Sequence, residues 1–265
     1  KKDLNINTFL ERKNAMKKFG SFALAALLVA ALSVSASAAN SFEAATGTPT
    51  IDGKMDDAYK AAPEIAINVK TSGDGKTSGT ARVLWDSNNI YAFFDITDPV
   101  LSTGYGKYHY ESDSVEFFIN LTDKKDDITK INAGQYTAQA DFPGAKTDWA
   151  GRGMHWDANK DKATFKTVKT DKGYTVEMQI PFGSDYTPKA GAQIGTAFHI
   201  NSDEDGKPGR EGEYFAGQNQ TDAWSKTDNF DTLTLTDKKY QPKKDTAAAT
   251  ADMGIIAAAA SLAAS

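Results

Sequence analysis

The sequence predicts an all-β fold, an antiparallel β-sandwich. Short segments alternate apolar and polar residues with a period of two, which is the spacing of side chains that point to one face of a strand. These segments recur at intervals of roughly ten to twenty residues, and sequences rich in glycine, aspartate, asparagine and proline lie between them. Few stretches show the period of a helix, and we find no internal repeat.

Each predicted strand is bounded by a turn or a loop. Residues 86–89 join two strands through a turn rich in residues that tolerate left-handed backbone geometry. A second hairpin turns around residues 170–173, and residues 142–161 are expected to form a loop. The predicted strands are 65–69, 81–85, 90–97, 114–120, 135–140, 165–169, 174–180, 194–201 and 233–235.

The segment from Tyr110 to Asn120 carries the clearest pattern. Three apolar side chains share one face of the predicted strand and are expected in the core: Val115, Phe117 and Ile119. The opposite face presents short polar groups, and only Phe118 interrupts it. A strand of this kind suits a sandwich in which one sheet surface is wetted.

Polar groups beside an aromatic ring suit the recognition of a sugar. Sugar hydroxyls need hydrogen-bond donors and acceptors, and the C–H face of a pyranose needs an aromatic plane. Glu116 lies on the polar face of this strand, and Tyr110 stands just before it. The alternative is an ordinary amphipathic strand with a solvated glutamate, and the strand by itself leaves both interpretations open.

Composition excludes several classes of partner and site. The chain has 265 residues, a formal net charge of -5 and a pI near 5.3, and 25% of its residues are charged. No basic stripe is present, so nucleic acid is not an expected partner. The absence of cysteine excludes disulfides and thiolate metal sites. The histidines lack the spacing of a helical zinc pair; they are His109, His155 and His199.

The N-terminal region has the pattern of an export signal. Residues 1–15 are polar and mixed, and we interpret them as an upstream extension that is not native. Lys17 and Lys18 then precede an apolar run, and small residues follow it up to Ala38. This order is typical of a secretory signal peptide, so residues 16–38 are predicted to be removed and the mature protein to be secreted or extracellular.

The β-sandwich is predicted to span residues 42–237, and residues 238–265 follow it as a linker and a tail. The linker is rich in lysine and alanine, whereas the segment from Asp252 to Ser265 is apolar. This segment holds too few residues to cross a membrane. Two interpretations are open: a truncated anchor helix that would tether the protein to the membrane or cell wall, and a frayed alanine-rich tail.

Four sequence blocks, in this order, carry a resemblance to a known family. They are Ile51-Asp52-Gly53 with Asp56, Val83-Leu84-Trp85-Asp86 with Ile90-Tyr91, Tyr110-Glu111-Ser112-Asp113-Ser114-Val115-Glu116-Phe117-Phe118-Ile119, and Gly173-Tyr174-Thr175-Val176-Glu177 with Ile180-Pro181. With these blocks, residues 48–236 resemble carbohydrate-binding module family 9, found beside xylanases and other secreted polysaccharide-degrading domains. The resemblance implies a β-sandwich and a non-catalytic domain that binds plant-type polysaccharide or oligosaccharide chains of the cellulose or xylan kind.

The resemblance also implies a set of binding residues. Family members hold the ends of sugar chains between two aromatic side chains, which match Tyr110 and Trp224 here. The family glutamate that bonds sugar hydroxyls matches Glu116. Three polar positions of the family site, an arginine, a glutamine and an asparagine, carry other residues in this chain: Thr137, His199 and Thr221 respectively.

A structural calcium ion is a further implication, because the family is similar to proteins that bind calcium. Asp98, in the loop that ends one predicted strand, is the candidate ligand, since calcium prefers oxygen donors. A solvated turn aspartate explains the same residue equally well. Both interpretations are open at the level of the sequence.

Three other functions compete with carbohydrate binding. A glycosidase would use paired carboxylates drawn from Glu111, Asp113 and Glu116, but a count of carboxylates is a weak signal and we expect no enzyme. A haem-binding sandwich would need two axial ligands, and Met154 and His155, as neighbours in one strand, would point in opposite directions. A purely structural cell-surface sandwich is the remaining alternative.

Overall fold

The structure, a computed structural model, describes residues 39–102, 107–140, 149–207 and 209–242. The predicted upstream extension, the signal peptide and the C-terminal anchor helix lie outside these residues, so they stay predictions. No helix within the described ranges is long and apolar enough to cross a membrane.

Strands dominate the described residues, and the predicted all-β antiparallel sandwich is confirmed. The strands are β1 (Ser41–Thr46), β2 (Ile65–Ser72), β3 (Ser78–Trp85), β4 (Asn89–Thr97), β5 (Ser114–Asn120), β6 (Ala133–Gln139), β7 (Trp149–Arg152), β8 (Thr164–Lys169), β9 (Gly173–Pro181), β10 (Gln193–Ser202), β11 (Gly212–Ala216) and β12 (Asp231–Leu235). The helical elements are two 3-10 helices, Asp57–Ala61 and His109–Glu111, and the short helix α1 (Met154–Asn159).

The strand order places β5 and β10 side by side in the half of the sandwich that carries the site. This half runs β7-β6-β5-β10-β11, and the other half runs β2-β3-β4-β9-β8. Strand β11 pairs with β2, so the two halves are continuous at that point. Strand β12 pairs with the other end of β10. Strand β1 pairs in parallel with both β12 and β3, so it joins the two halves along one side and departs from the antiparallel pattern.

The core lies between the two halves and contains the apolar face of β5. Val115, Phe117 and Ile119 are fully buried, which confirms the prediction for this face. Phe117 stacks on Phe198 of β10 with 5.0 Å between the ring centroids. Phe198 also contacts Phe94 of β4 at 6.1 Å, so these rings connect the two halves. Burial of this apolar surface is the main stabilising contribution to such a fold.

The first and fourth sequence blocks of the family pattern lie in contact with each other. The backbone N–H groups of Asp52 and Gly53 both donate to Oε2 of Glu177 at 3.0 Å, and the hydroxyl of Tyr59 donates to Oε1 at 3.1 Å. Gly53 has a φ of 79°, and a Cβ there would lie 2.6 Å from Val168. The turn therefore requires glycine, and the glutamate satisfies its exposed backbone groups.

The prediction of a loop over residues 142–161 is wrong for most of residues 149–161, the part that the structure describes. Residues 149–152 form β7 at the edge of the sheet, and helix α1 follows directly. Gly151 lets the indole of Trp156 lie against the strand, because a Cβ there would be 2.2 Å from that ring. Trp149 in turn stacks on Phe165 at 4.6 Å. Aromatic packing, which has no sequence period, orders this region.

Candidate functional site

The floor of the site is a row of polar side chains across three neighbouring strands. Glu116 of β5 lies directly opposite Thr137 of β6 on one side and His199 of β10 on the other. Because side chains of directly paired residues point to the same face, all three project away from the core. The strand register therefore assembles the row.

The expectation that this sheet surface is wetted is wrong. Every side chain of β5 is buried, on both faces. The outward-facing Phe118 belongs to a second apolar cluster, in which it meets Phe230 at 5.9 Å between ring centroids, together with Ile128 and Ala223. Loops cover the part of this face around Phe118, which explains why an aromatic residue interrupts the polar pattern of the strand.

A cleft of about 820 Å³ is lined by this row and by the loops around it. All six residues that the family resemblance indicates lie on the wall of the cleft: Tyr110, Glu116, Thr137, His199, Thr221 and Trp224. Asp98 does not line it. The structure thus brings the sequence-predicted polysaccharide site together in one place, and the role of each residue in binding stays a prediction.

Two exposed aromatic rings stand on the wall of the cleft. The side chain of Tyr110 is 41% exposed and that of Trp224 is 52% exposed, which is unusual for such large apolar groups. Tyr110 also stacks on Tyr108 with 5.5 Å between centroids and 5° between the ring planes. Each ring is faced by a guanidinium group, Arg210 at 5.4 Å from the Tyr110 centroid and Arg152 at 5.5 Å from that of Trp224.

Glu116 is the centre of the hydrogen-bonded floor and is only 4% exposed. Its Oε1 accepts hydrogen bonds from Nε2 of Gln135 at 3.0 Å and from the hydroxyl of Thr137 at 3.2 Å, and its Oε2 lies 3.4 Å from Nδ1 of His199. Burial by itself raises the pKa of this carboxyl. The hydrogen bond and charge of His199, with the charge of Arg210, outweigh burial and hold the pKa of Glu116 below its usual value.

His199 lies deep in the floor and carries one unsatisfied nitrogen. Its imidazole is enclosed between the rings of Phe118, at 4.6 Å, and Phe215, at 4.2 Å. While Nδ1 faces Glu116, the buried Nε2 atom has no hydrogen-bond partner within the described ranges of the chain. Buried polar atoms are nearly always hydrogen-bonded, so this nitrogen marks a place for a water molecule or a ligand hydroxyl.

Several cleft residues were not indicated by the sequence. Gln135 lies two positions before Thr137 on the same strand, so the strand period of two could have indicated it. Tyr108 lies two positions before Tyr110, outside a strand. Arg152 lies in the region expected to be a loop, and no sequence signal points to it. Arg210 is held by Glu213 and by Asn201, each at 2.7 Å.

Asp98, the predicted calcium ligand, lies in a buried group of carboxylates outside the cleft. Its Oδ1 accepts the N–H of Val100 at 3.1 Å, and burial raises the pKa of Asp98 to about 6. Burial, and next the charge of Asp98, raise the pKa of Asp113 to about 8. Asp113 Oδ1 accepts the N–H of Asp203 at 2.8 Å, and no salt bridge within the described residues neutralises any of these three carboxylates.

The carboxylates proposed for a glycosidase do not converge on the cleft. Asp113 is fully buried, does not line the cleft, and accepts hydrogen bonds from the backbone of Ser102 and Asp203. Glu111 accepts the N–H of Tyr108 at 2.9 Å, in the 3-10 helix that precedes β5. Of the three candidates only Glu116 lines the cleft. Glu213, the other carboxylate of the cleft wall, pairs with Arg210 at 2.7 Å, so within the described residues no unpaired carboxylate stands beside Glu116 to complete the acid and base pair of a glycosidase.

The pair considered for haem ligation lies on helix α1, so its assignment to a strand is wrong. Met154 is exposed, whereas His155 is buried. The two ring nitrogens of His155 lie 2.7 Å from the hydroxyl of Tyr136 and 3.3 Å from the carbonyl oxygen of Phe182. Burial lowers the pKa of His155 to about 4. Both nitrogens thus serve the packing of the helix on the sheet.

Comparison with curated proteins finds relatives among multidomain enzymes. The chain is 33% identical over 193 residues to endo-1,4-beta-xylanase A of Thermoanaerobacterium saccharolyticum, which covers 72% of this chain and 16% of the xylanase. It is 32% identical over 193 residues to exoglucanase XynX of Acetivibrio thermocellus, which covers 72% of this chain and 17% of that protein. The match thus spans about a sixth of the length of each relative.

Comparison with solved structures and with family models identifies the domain. A carbohydrate binding module family 9 from Caldicellulosiruptor kristjanssonii in complex with cellotriose has a TM-score of 0.66 and 20% identity, over 76% of this chain and 95% of that one. The same source gives a complex with glucose, with a TM-score of 0.64 and 21% identity, over 77% and 100%. At this identity the likeness establishes the fold. Because the model of the carbohydrate family 9 binding domain-like family matches residues 51–238, this chain belongs to that family of non-catalytic carbohydrate-binding domains.

Proposed function

We propose that the cleft binds a plant-type polysaccharide chain of the cellulose or xylan kind and holds it between Tyr110 and Trp224. The observation that carries this proposal is the meeting of two exposed aromatic rings with a polar, hydrogen-bonded floor in one cleft. The names of the relatives, endo-1,4-beta-xylanase and exoglucanase, support this class of sugar. The similar module that holds cellotriose supports it as well.

The aromatic rings supply most of the affinity in this proposal. Stacking a pyranose on an exposed ring, which removes on the order of 50–100 Å² of apolar surface from water, contributes about 1–2.5 kcal/mol. Trp224 offers the larger exposed plane, so we expect it to contribute more than Tyr110. At Trp224 the sugar would displace the guanidinium of Arg152 that now faces the ring, whereas at Tyr110 it would stack beside Arg210, which Glu213 and Asn201 hold in place.

The polar floor orients the chain, and Glu116 acts largely through its neighbours. A carboxylate has about four lone-pair sites. Gln135, Thr137 and His199 already occupy three positions around it, so the glutamate has room for about one sugar hydroxyl. Gln135 and Thr137 are then held in fixed orientations, and their remaining polar atoms face the ligand. Such preorganisation reduces the entropy that binding costs.

The same proposal includes export of the domain. The lysine pair, the apolar run and the small residues of the predicted signal peptide support secretion, as does the xylanase setting of the relatives. A tether to the membrane or cell wall through the C-terminal segment is the further part of this hypothesis. N-terminal sequencing of secreted material should start near Ala39, and a mature protein that still begins at Met16 would contradict export.

A structural calcium ion near Asp98 is a separate proposal. Asp98, Asp113 and Asp203 are buried carboxylates without a salt bridge in the described residues, and a divalent cation would offset the cost of burying them. Asp203 also lies in a group with Asp205 and Glu211, whose ligand oxygens are within 4.8 Å of one another. These residues fit a hard cation, which would stabilise the loops beside the cleft.

Titration calorimetry tests the sugar-binding proposal directly. Wild-type protein is titrated with cellotriose and xylotriose, and Trp224→Ala is expected to lose detectable binding while keeping its circular dichroism spectrum. Met55→Ala is the matched control, since Met55 is a similarly exposed apolar residue at 46% that does not line the cleft. Wild-type binding that Trp224→Ala leaves unchanged would place the sugar elsewhere, and absence of binding to any glycan would favour a structural role for the domain.

A further inference from the structure

The cleft contains one cation that forms no salt bridge within the described residues, although its charge also acts on the carboxylate of Asp127. Arg152, at the end of edge strand β7, is exposed and takes part in no salt bridge or hydrogen bond there. Its guanidinium lies over the ring of Trp224, 5.5 Å from the centroid. A guanidinium presents five N–H donors in a planar fork, and here those donors have no acceptor within the described part of the protein.

The second arginine of the cleft differs in this respect. Arg210 lies 2.7 Å from an oxygen of Glu213 and donates to Oδ1 of Asn201 at 2.7 Å, so its charge and its position are both fixed by the protein. Glu116 is likewise enclosed by its own donors. The two carboxylates of the cleft wall thus have partners, and Arg152 is the cation left for a ligand.

The position of Arg152 places it beside the proposed sugar. In the strand register Arg152 lies opposite Gln135, whose side chain donates to Glu116, so it belongs to the column next to the polar floor. A sugar stacked on Trp224 would take the place that the guanidinium now covers. The displaced fork would then lie at the edge of that sugar unit, within the same cleft.

We propose that Arg152 is a specificity-determining residue that selects chains carrying a uronic acid, a sugar unit whose C6 is a carboxylate. This inference rests on the proposed sugar-binding function and deepens it. A neutral sugar offers only hydroxyls, which any polar side chain can bond. A carboxylate matches the planar fork with two parallel hydrogen bonds and cancels the free charge.

The gain in affinity is bounded by the exposure of the arginine. Exposed ion pairs contribute up to about 1 kcal/mol, which corresponds to about a fivefold change in Kd. The contact with the sugar and the indole removes some water from the pair, so a preference of about five- to tenfold for the acidic chain is expected at low salt. Because the pair remains partly exposed, the preference should shrink as ionic strength rises.

The test compares a xylo-oligosaccharide that carries one glucuronosyl unit with the same compound after reduction of its carboxyl to an alcohol. Calorimetry is run in about 20 mM buffer, where the Debye length is about 20 Å and the charge of the arginine is only weakly screened. The proteins compared are wild type, Arg152→Gln, Arg152→Lys and Lys172→Gln. Lys172 is an exposed cation in the turn before β9 that does not line the cleft, so it controls for net charge.

The expected result is a wild-type preference of about fivefold or more for the acidic ligand, lost in Arg152→Gln and kept in Lys172→Gln. Arg152→Lys should keep only part of it, because lysine cannot form the paired hydrogen bonds. Equal wild-type affinity for the acidic and reduced ligands would overturn the inference and leave the proposed function intact. A preference that persists in Arg152→Gln would also overturn it, whereas failure of wild type to bind either ligand would refute the proposed function itself.

Discussion

Removing the carboxylate of Glu116 should destabilise the fold more than any loss of charge on the surface. The substitution Glu116→Ala takes away the acceptor used by Gln135 at 3.0 Å and Thr137 at 3.2 Å, and the partner of His199 at 3.4 Å. Gln135 is partly exposed and can turn to water. Thr137 and His199 are each 3% exposed and cannot, so two buried groups lose their partner.

The magnitude follows from these two groups. Leaving a buried polar group unsatisfied costs about 1–3 kcal/mol. Two such groups cost about 2–6 kcal/mol together, and the desolvation that the variant no longer suffers reduces the expected loss in the free energy of unfolding to about 2–4 kcal/mol. Glu116→Gln keeps one acceptor oxygen and the same shape, and the imidazole of His199 can accept from the new amide in its other tautomer. We therefore expect that variant to lose only about 1–2 kcal/mol.

Urea unfolding at pH 7, followed by tryptophan fluorescence, measures the loss. Glu64→Ala is the matched control, because Glu64 forms an exposed ion pair with Arg82 at 3.1 Å, and such pairs contribute at most about 1 kcal/mol. The pKa of folded Glu116 lies below its usual value, so its contribution is present above about pH 4.3 and is lost as the pH falls through the folded value. The wild type should therefore approach Glu116→Gln in acid. If Glu116→Ala unfolds at the same urea concentration as Glu64→Ala, Glu116 does not hold the floor together.

Three further predictions concern the core, helix α1 and the carboxylate group. Phe117→Ala should cost about 3–5 kcal/mol, because the ring is fully buried against Phe198, and an unchanged melting temperature would contradict the packing. Burial lowers the pKa of His155 to about 4, so the unfolded chain binds its proton first and stability falls from pH 6.5 towards 4 by up to about 3 kcal/mol. The variant His155→Gln should lack this part of the fall in stability at acid pH. A stability profile against pH identical to that of the wild type would contradict the role of His155. Calcium should raise the melting temperature of the wild type and EDTA should reverse the rise, whereas Asp98→Asn should respond less; equal melting curves with and without calcium would refute a cation at Asp98.

Alternation along the chain was sufficient to predict most of the sandwich. It placed β3, β4, β5, β9 and β10 within a few residues of their actual bounds and assigned the core face of β5 correctly. It failed for β11 because this strand has only five residues, Gly212–Ala216, and places two aromatic residues next to each other, so no alternation appears. It failed for β7 because this strand holds only four residues and ends at a turn with Gly153 in a left-handed conformation. Strands of this length are defined by what they pack against.

The candidate site could be predicted in part for a similar reason. The family pattern indicated Tyr110, Glu116 and Trp224, since these positions fall in or near alignable segments. Arg152 and Arg210 reach the cleft from a short edge strand and from a loop, so only the folded chain brings them to the aromatic rings. Patterns along the sequence do not reveal residues that are distant in the chain and come together only through the order of the strands.

The polar face of β5 shows how one sequence pattern can serve two different environments. Alternating polar residues usually mean free contact with water, yet at the floor of this cleft they are almost fully buried and must satisfy one another. Glu116 can be buried only because Gln135, Thr137 and His199 surround it, and those three are in turn held in place by it. One atom of this network, Nε2 of His199, has no partner in the described residues. A floor that is rigid and satisfied except at one donor or acceptor is preorganised for a hydroxyl, and a sugar supplies that group at the same time as the pyranose surface that covers Trp224.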